Sequence, residues 1–146
     1  NELKNQLAKS QVNEIINSAE IINGVRKMIV KLNNFDKDLM MEMVNQIKSK
    51  NEPYFFFVFN VSTDKVSLLC AASNDLVKNG VHCGNLVKAV AQMLGGNGGG
   101  RPDVAQAGGK DVSKVDEAIN FVETIFNQLY VIFVILHQIL SILPIN

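Results

Sequence analysis

Apolar positions along the chain change period several times, and these changes divide it into helices and strands. In the first segment, apolar residues recur at steps of four and three, at Ala8, Val12, Ile15, Ala19 and Ile22. This spacing predicts an amphipathic helix that ends near Ile22, and it is also the spacing of a coiled-coil seam. Two interpretations stay open: a helix that packs on its own domain, and an arm that continues a longer upstream helix.

Three short runs rich in β-branched and aromatic residues predict strands at 25–32 (VRKMIVKL), 54–61 (YFFFVFNV) and 66–73 (VSLLCAAS). The second run is apolar on both faces, as expected of a buried central strand. Its four consecutive aromatic residues also fit a base-stacking platform, which is the less favoured reading because alternate side chains face opposite ways. The polar turn at 62–65 makes the third run its antiparallel partner.

Helical periodicity returns in three segments. Asp36 stands where an N-cap belongs, and the helix to Lys50 has an apolar face whose clustered methionines we interpret as core rather than as an adaptable binding surface. Residues 82–94 predict a second helix, and Ser113 is the expected N-cap of a third. Turns are predicted at Asn23-Gly24 and Asn79-Gly80. The order predicts an α/β (α+β) fold with a small mixed sheet covered by helices, an N-terminal helical arm and a hydrophobic C-terminal helix.

The segment from Gly95 to Gly109, GGNGGGRPDVAQAGG, holds seven of the ten glycines of the chain. Glycine lets another molecule come close to the backbone, so we interpret the segment as a loop shaped for close approach rather than as a spacer. A phosphate-binding P-loop and a dinucleotide-binding GxGxxG both follow a strand, whereas this segment follows a helix. The sequence therefore argues against a mononucleotide site.

Arg101 is the only cation of this glycine segment, and Pro102 restricts it to an extended conformation. A guanidinium presented in this way suits a phosphate or a carboxylate. The alternative role is structural, in which Arg101 pairs with Asp103 or satisfies carbonyl groups of the loop.

Composition narrows the classes of function. A chain of 146 residues is expected to form one domain with a real core, and its 14 basic and 14 acidic residues exclude bulk attraction to a polyanion, so any nucleic-acid binding must be local. Cys70 and Cys83 lack the spacing of a zinc site or a disulfide framework, which favours an intracellular setting. The first residues lack the features of a signal peptide and suggest a piece of a longer protein.

The glycine segment, with VHCGNLVKAVAQML before it, closely resembles the globular part of the C-terminal domain of alanyl-tRNA synthetases, a DHHA1-type module also called C-Ala. The stretches INGVRKMIVKL, FDKDLMMEMVNQIKSK and DKVSLLCAASNDLVKNG occur in the order of that module. The resemblance divides the chain into a helical linker or arm (1–21), a DHHA1-like domain (22–126) and an atypical apolar tail (127–146).

The resemblance implies a tRNA-binding domain of an alanine-tRNA ligase that contacts the outer corner of the tRNA and supports aminoacylation and editing. Its implied partners are tRNA with an alanine acceptor and the rest of the synthetase chain, with a homodimer as a further option. The implied compartment is the cytoplasm, with an organelle as the alternative. Because the adenylate-forming core and the zinc-dependent editing centre are missing from this sequence, the segment is expected to need no cofactor or metal and to be inactive alone.

Candidate contacts to RNA come from the glycine segment and its neighbours: Arg101, Lys88, Lys110, Gly98, Gly99, Gly100 and His82. The first of them carries most of the expectation. For His82 the alternative is a helix-start histidine that caps backbone groups.

Two other functions stay open. One is a stand-alone DHHA1-like module for dimerisation or interaction without RNA binding. The other, less favoured, is a fragment of a DHH-type phosphoesterase. Those enzymes carry a histidine after the glycines, where Arg101 stands here, and this chain has no DHH triplet and only two distant histidines, His82 and His137.

The tail departs from the resemblance, since residues 124–146 contain no Asp, Glu, Lys or Arg. Residues 129–143 are strongly apolar but shorter than the roughly twenty residues of a membrane span. Three readings stay open: a helix buried against the domain or a second copy, a terminus without an evolved role, and a membrane anchor, which is the least favoured.

Overall fold

The computed structural model describes residues 2–22, 24–78 and 80–144; Asn23 and Asn79, where turns were predicted, lie outside these ranges. Its elements in chain order are α1 (Glu2–Asn17), β1 (Glu20–Ile22), β2 (Val25–Asn33), α2 (Lys37–Ser49), β3 (Tyr54–Val61), β4 (Val66–Ala72), α3 (Asn74–Lys78), α4 (Cys83–Met93), β5 (Asn97–Gly100), β6 (Val104–Gly109), a 3-10 turn (Val112–Lys114) and α5 (Val115–Ile142).

The six strands form one mixed sheet in the order β1-β2-β3-β4-β6-β5. The pair β2–β3 is parallel, and α2 makes the crossover between them; every other pair is antiparallel. This arrangement confirms the predicted mixed sheet with helices. It also places β5, the most glycine-rich strand, at one edge.

Strand β3 divides the core into two layers because its side chains alternate between the faces of the sheet. Phe55, Phe57 and Phe59 pack with α4 and the first half of α5, whereas Phe56 and Val58 pack with α1 and α2. Each of these five side chains is at most 1% exposed. The predicted burial of this strand is confirmed, and a base-stacking platform is excluded there.

Helix α1 ends at Asn17, five residues earlier than its apolar pattern predicted. Residues 20–22 instead form β1, which pairs with β2 and is too short for its period to be visible in the sequence. Val12 and Ile16 are buried against the α2 layer. The helix therefore packs on its own domain, as the first of the two open interpretations held.

The helix caps confirm one prediction and correct another. Asp36 caps α2, where its side chain accepts a hydrogen bond from the backbone N–H of Asp38. Ser113 is not the N-cap of the last helix: Asp111 accepts a hydrogen bond from the Ser113 N–H, and the 3-10 turn precedes α5. Asp111 caps the 3-10 turn, the Ser113 hydroxyl donates to its carboxylate, and Lys114, the residue before α5, makes no side-chain cap hydrogen bond.

Cys70 and Cys83 are both fully buried, with free thiols. Burial raises the pKa of the Cys70 thiol well above its ordinary value of 9.0, and the neighbouring Cys83 adds to this shift. Cys70 is consequently a neutral, unreactive core side chain at neutral pH.

Helix α5 begins inside the core and continues beyond it. Val115, Ala118, Val122 and Phe126 are buried, whereas most of the described large apolar side chains from Val131 onward are about half exposed or more; Val134 is partly buried. Leu129 packs against the core, but beyond it the tail is not buried against its own domain; burial against a second copy, the other half of that reading, stays open. One further property is shown by length and composition alone: the helical stretch Val112–Ile142 is long and apolar enough to cross a membrane.

Candidate nucleic-acid interface

The glycine segment is a β-hairpin rather than the predicted loop. Strand β5 pairs with β6 along its whole length, from Asn97 opposite Gly108 to Gly100 opposite Ala105. A Cβ on Gly98 would overlap Ala107, and a Cβ on Gly100 would lie 2.8 Å from the Ala105 Cβ. Glycine is therefore required by close strand pairing, and because glycine is rare in strands the hairpin has no recognisable pattern in the sequence.

Helix α4 lies directly against this hairpin. A Cβ on Gly84, in the first turn of the helix, would overlap the carbonyl oxygen of Gly100, and a Cβ on Gly109 would overlap Leu94. The backbone N–H groups of Cys83 and Gly84 donate to the carbonyls of Pro102 and Arg101, at 2.9 and 3.1 Å. The hairpin turn thus satisfies N–H groups that a helix N-terminus would otherwise offer to an anion.

Arg101 lies in the hairpin turn, where its backbone N–H donates to the Val104 carbonyl at 3.0 Å. Its side-chain Nε is 3.4 Å from Oδ1 of Asp103, and the two side chains are 70% and 35% exposed. Arg101 therefore forms the ion pair with Asp103 that was considered as its structural role. An exposed ion pair of this kind contributes only about 0–1 kcal/mol to stability. The Arg101 guanidinium can therefore leave Asp103 for another anionic partner at little cost.

His82 caps α4. Its Nδ1 accepts a hydrogen bond from the backbone N–H of Asn85 at 3.0 Å, which confirms the capping alternative for this residue. His82 is half-buried, and the next two residues, Cys83 and Gly84, donate their backbone N–H groups to the carbonyls of Pro102 and Arg101. The structure thus brings His82 and Arg101 to the same end of α4.

The two candidate lysines lie farther along the same surface. Lys88 is exposed in the middle of α4, on the stripe that also contains Asn85 and Gln92. Lys110 follows β6 at the opposite end of the helix, where its backbone N–H donates to the Leu94 carbonyl at 2.8 Å. Arg101 and Lys110 are consequently separated by the six residues of β6, roughly 20 Å in an extended strand, and form no single cluster.

Lys65 is a cation that the sequence did not single out. The last residue pair between β4 and β6 joins Val66 to Gly109, so Lys65 and Lys110 leave the sheet side by side, and both are exposed. Only the pairing of strands distant in sequence reveals this neighbour. We call this pair the distal lysines.

Edge strand β5 presents backbone instead of side chains. Gly98, Gly99 and Gly100 are all exposed, and the position of a Cβ on Gly99 has no atom within 4 Å. A ligand can therefore reach the main chain at Gly99, while Gly98 and Gly100 face Ala107 and Ala105. The predicted close approach to this segment is geometrically available on one side of the strand.

The surface on the other side of the hairpin turn is acidic. A cleft of about 470 Å³ is lined by three acidic residues, Glu52, Asp75 and Asp103, and one basic residue, Lys48, together with Tyr54. Burial raises the pKa of the Tyr54 hydroxyl, and the Asp103 carboxylate adds to the shift. An anionic ligand at Arg101 is therefore favoured from the α4 and β5 side rather than from this cleft.

In the described ranges, no group of three or more His, Cys, Asp or Glu side chains is arranged to hold a metal ion.

Comparison with known proteins identifies the family. The DHHA1 domain matches residues 24–128. The chain is 39% identical over 130 residues to the alanine–tRNA ligase of Alkaliphilus oremlandii, covering 88% of this chain, and 41% identical over 119 residues to that of Geobacillus kaustophilus, covering 82%. It spans only 15% and 13% of the length of these two relatives.

Solved structures share the fold. The C-Ala domain of Aquifex aeolicus alanyl-tRNA synthetase matches with a TM-score of 0.64 at 21% identity, covering 74% of this chain and 96% of that domain. The DHH domain of a member of a family of ribosomal proteins matches with a TM-score of 0.55 at 17% identity, covering 85% of this chain and 31% of that one. The resemblance to the C-terminal domain of alanyl-tRNA synthetase is thus confirmed, and the chain belongs to the DHHA1 domain family.

Proposed function

We propose that this chain is the tRNA-binding segment of an alanine–tRNA ligase, which contacts the outer corner of the tRNA and supports aminoacylation and editing by the rest of the enzyme. The observation that carries the proposal is similarity to alanine–tRNA ligases over most of the chain. On its own the segment is proposed to bind tRNA without forming or hydrolysing aminoacyl-tRNA.

The surface formed by α4, β5 and β6 supports RNA binding. It carries Arg101 at one end, the distal lysines at the other and Lys88 between them. The open side of Gly99 lies on the other face of the sheet, where its strand partner Gln106 contacts Met41. Structured RNA is recognised mainly through its shape and its phosphate backbone, so a few cations spaced along one surface suffice. The neutral overall charge of the chain is compatible with such a local interface.

Asp103 sets how strongly Arg101 can act. Its carboxylate neutralises the guanidinium in the free protein, and an incoming phosphate has to displace it. Since the pair is exposed, this exchange costs little, but Asp103 also repels the phosphate. Removing the Asp103 charge is therefore expected to strengthen RNA binding, whereas removing the Arg101 charge is expected to weaken it.

The test is a titration of the chain with alanine-acceptor tRNA, followed by fluorescence anisotropy at about 50 mM and about 200 mM salt. Arg101→Ala is expected to weaken binding roughly three- to tenfold and to lower the salt slope by about one. Asp103→Asn is expected to strengthen binding at the lower salt. A Lys65→Ala/Lys110→Ala double variant tests the other end of the surface and is expected to weaken binding by a similar factor.

Lys9→Ala is the matched control, because Lys9 is exposed on α1, across the sheet from α4. It should leave the affinity unchanged. The proposal fails if the chain does not bind tRNA at the lower salt, or if Arg101→Ala and Lys9→Ala have the same affinity.

A further inference from the structure

The C-terminal part of α5 forms an exposed apolar surface that the domain does not use. Eight large apolar side chains there are between 47% and 80% exposed: Val131, Ile132, Ile135, Leu136, Ile139, Leu140, Ile142 and Leu143. Together they leave on the order of 800 Å² of side-chain surface uncovered, which is about what one partner contributes to a stable protein interface. Single-domain monomers rarely expose a larger contiguous patch.

The order of these residues is that of a helical seam. Steps of four and three connect Ala118, Val122, Ile125, Leu129, Ile132, Leu136, Ile139 and Leu143 without a break. The first two are buried in the core, and Ile125 and Leu129 pack against it from the edge. The seam therefore starts as the buried stripe of the domain and continues onto the free part of the same helix.

The residue types along the seam indicate how many helices it accommodates. In heptad terms Leu129, Leu136 and Leu143 occupy position a, and Ile132 and Ile139 occupy position d. Leucine at a with isoleucine at d favours trimers and tetramers over dimers, because the branched side chains pack differently in the wider core.

The positions beside the seam widen the apolar face. Ile135 and Ile142 at g and Leu140 at e are exposed, at positions where two-stranded coiled coils usually carry charges. The remaining side carries Gln138 and Ser141, both exposed to solvent, together with Val131 and Val134. A face that includes a, d, e and g is too broad for one partner helix to cover, whereas a bundle of several helices covers it.

A lipid bilayer fits this surface less well than further copies of the chain. The first half of α5 carries Asp116, Glu117 and Glu123 and supplies core side chains, so it is not free to enter a membrane. The apolar stretch beyond the core, residues 131–143, is about 20 Å long as a helix, short of the hydrocarbon thickness of roughly 30 Å. Identical helices, by contrast, match each other in length and pattern.

We propose that residues 129–143, at the C-terminal end of α5, associate with the same segment of other copies of this chain in a parallel bundle of three or four helices. This association is independent of RNA binding, since the seam lies on α5 and the proposed RNA surface on α4, β5 and β6.

Sedimentation equilibrium of the whole chain, at several micromolar concentrations, tests the proposal. The wild-type chain is expected to form trimers or tetramers. Leu136→Lys/Ile139→Lys, which places two charges in the seam, is expected to be monomeric, whereas Gln138→Lys/Ser141→Lys on the opposite side should keep the wild-type mass. Both pairs lie outside the domain core, and far-UV circular dichroism with thermal unfolding checks that each variant folds.

Four outcomes overturn the proposal: a monomeric wild-type chain, a wild-type dimer, a seam variant that keeps the wild-type mass, or a control variant that loses it. Flotation with neutral phospholipid vesicles distinguishes the bilayer. A wild-type chain that floats with the vesicles and is monomeric without them assigns the apolar surface to lipid instead.

Discussion

Glycines in the hairpin and in the first turn of α4 differ in how much space a Cβ atom would have. A Cβ on Gly84 would overlap the carbonyl of Gly100, and one on Gly98 would overlap Ala107, whereas Gly99 faces open space. Most of the glycine content is thus explained by backbone packing against β6 and α4. Gly99 alone among these three leaves room for a ligand.

Gly84→Ala is expected to lower the free energy of unfolding by about 1–3 kcal/mol, because the added methyl group pushes α4 away from the hairpin. Gly99→Ala is the matched control and should change stability by less than about 1 kcal/mol, since its Cβ meets no atom and its backbone does not have positive φ. Urea unfolding of both variants measures the difference. Equal losses would show that contact between helix and hairpin is not what requires glycine.

At the scale of elements, the 3-10 turn that leads into α5 is capped by the side chain of Asp111. Asp111 accepts hydrogen bonds from the backbone N–H and the hydroxyl of Ser113, and the backbone N–H groups of Lys110 and Asp111 both donate to the Leu94 carbonyl at the end of α4. One short segment thereby ends α4, closes the sheet and begins α5. The Asp111 cap holds this corner together.

Asp111→Ala is expected to reduce stability by about 0.5–2 kcal/mol, the usual cost of losing an N-cap. Ser113→Ala removes only a hydroxyl donor to the same carboxylate, so its cost should be less than half as large. Thermal unfolding monitored by circular dichroism compares the two. A larger loss for Ser113→Ala would reverse the assignment of the cap and restore the sequence-based expectation.

At the scale of the whole molecule, the sheet lies between two helical layers, and α1 supplies part of one. Val12 and Ile16 are no more than 1% exposed and join the cluster of Met40, Met43 and Val44. The carbonyl of Ile16 also accepts a hydrogen bond from the Arg26 guanidinium at 3.1 Å. In this structure α1 therefore belongs to the core of the domain.

Ile16→Ala is expected to destabilise the whole domain by about 2–5 kcal/mol, the range for removing a large aliphatic side chain from a packed core. Asn13→Ala, on the exposed side of the same helix, should stay within about 0.5 kcal/mol of the wild type. Urea unfolding followed at several wavelengths measures both. If Ile16→Ala unfolds like the wild type, α1 is an independent arm.

Much of the fold was predictable because its signals are local. The bounds of β3, the Asp36 cap and the antiparallel pairing of β4 with β3 all follow from short stretches of sequence. The hairpin β5–β6 was not predictable in this way, since its glycines have neither the period nor the propensity of a strand. In the candidate site, the helix-capping role of His82 and the pairing of Arg101 with Asp103 were predicted from neighbouring residues. The position of Lys65 beside Lys110 was not predicted, because it depends on the pairing of β4 with β6.

The sequence by itself determined the alternation of buried aromatic residues in β3, the mixed helix and strand composition, and the resemblance that led to the family. Each of these depends on residue types at fixed short spacings, where side-chain periodicity and backbone preference act directly. Only the tertiary structure decided that the glycine segment is an edge hairpin, that Lys65 lies beside Lys110, and that the tail extends beyond the core. These depend on strand register and on close contact between distant segments, which are set by the packing of the whole chain and not by any local pattern.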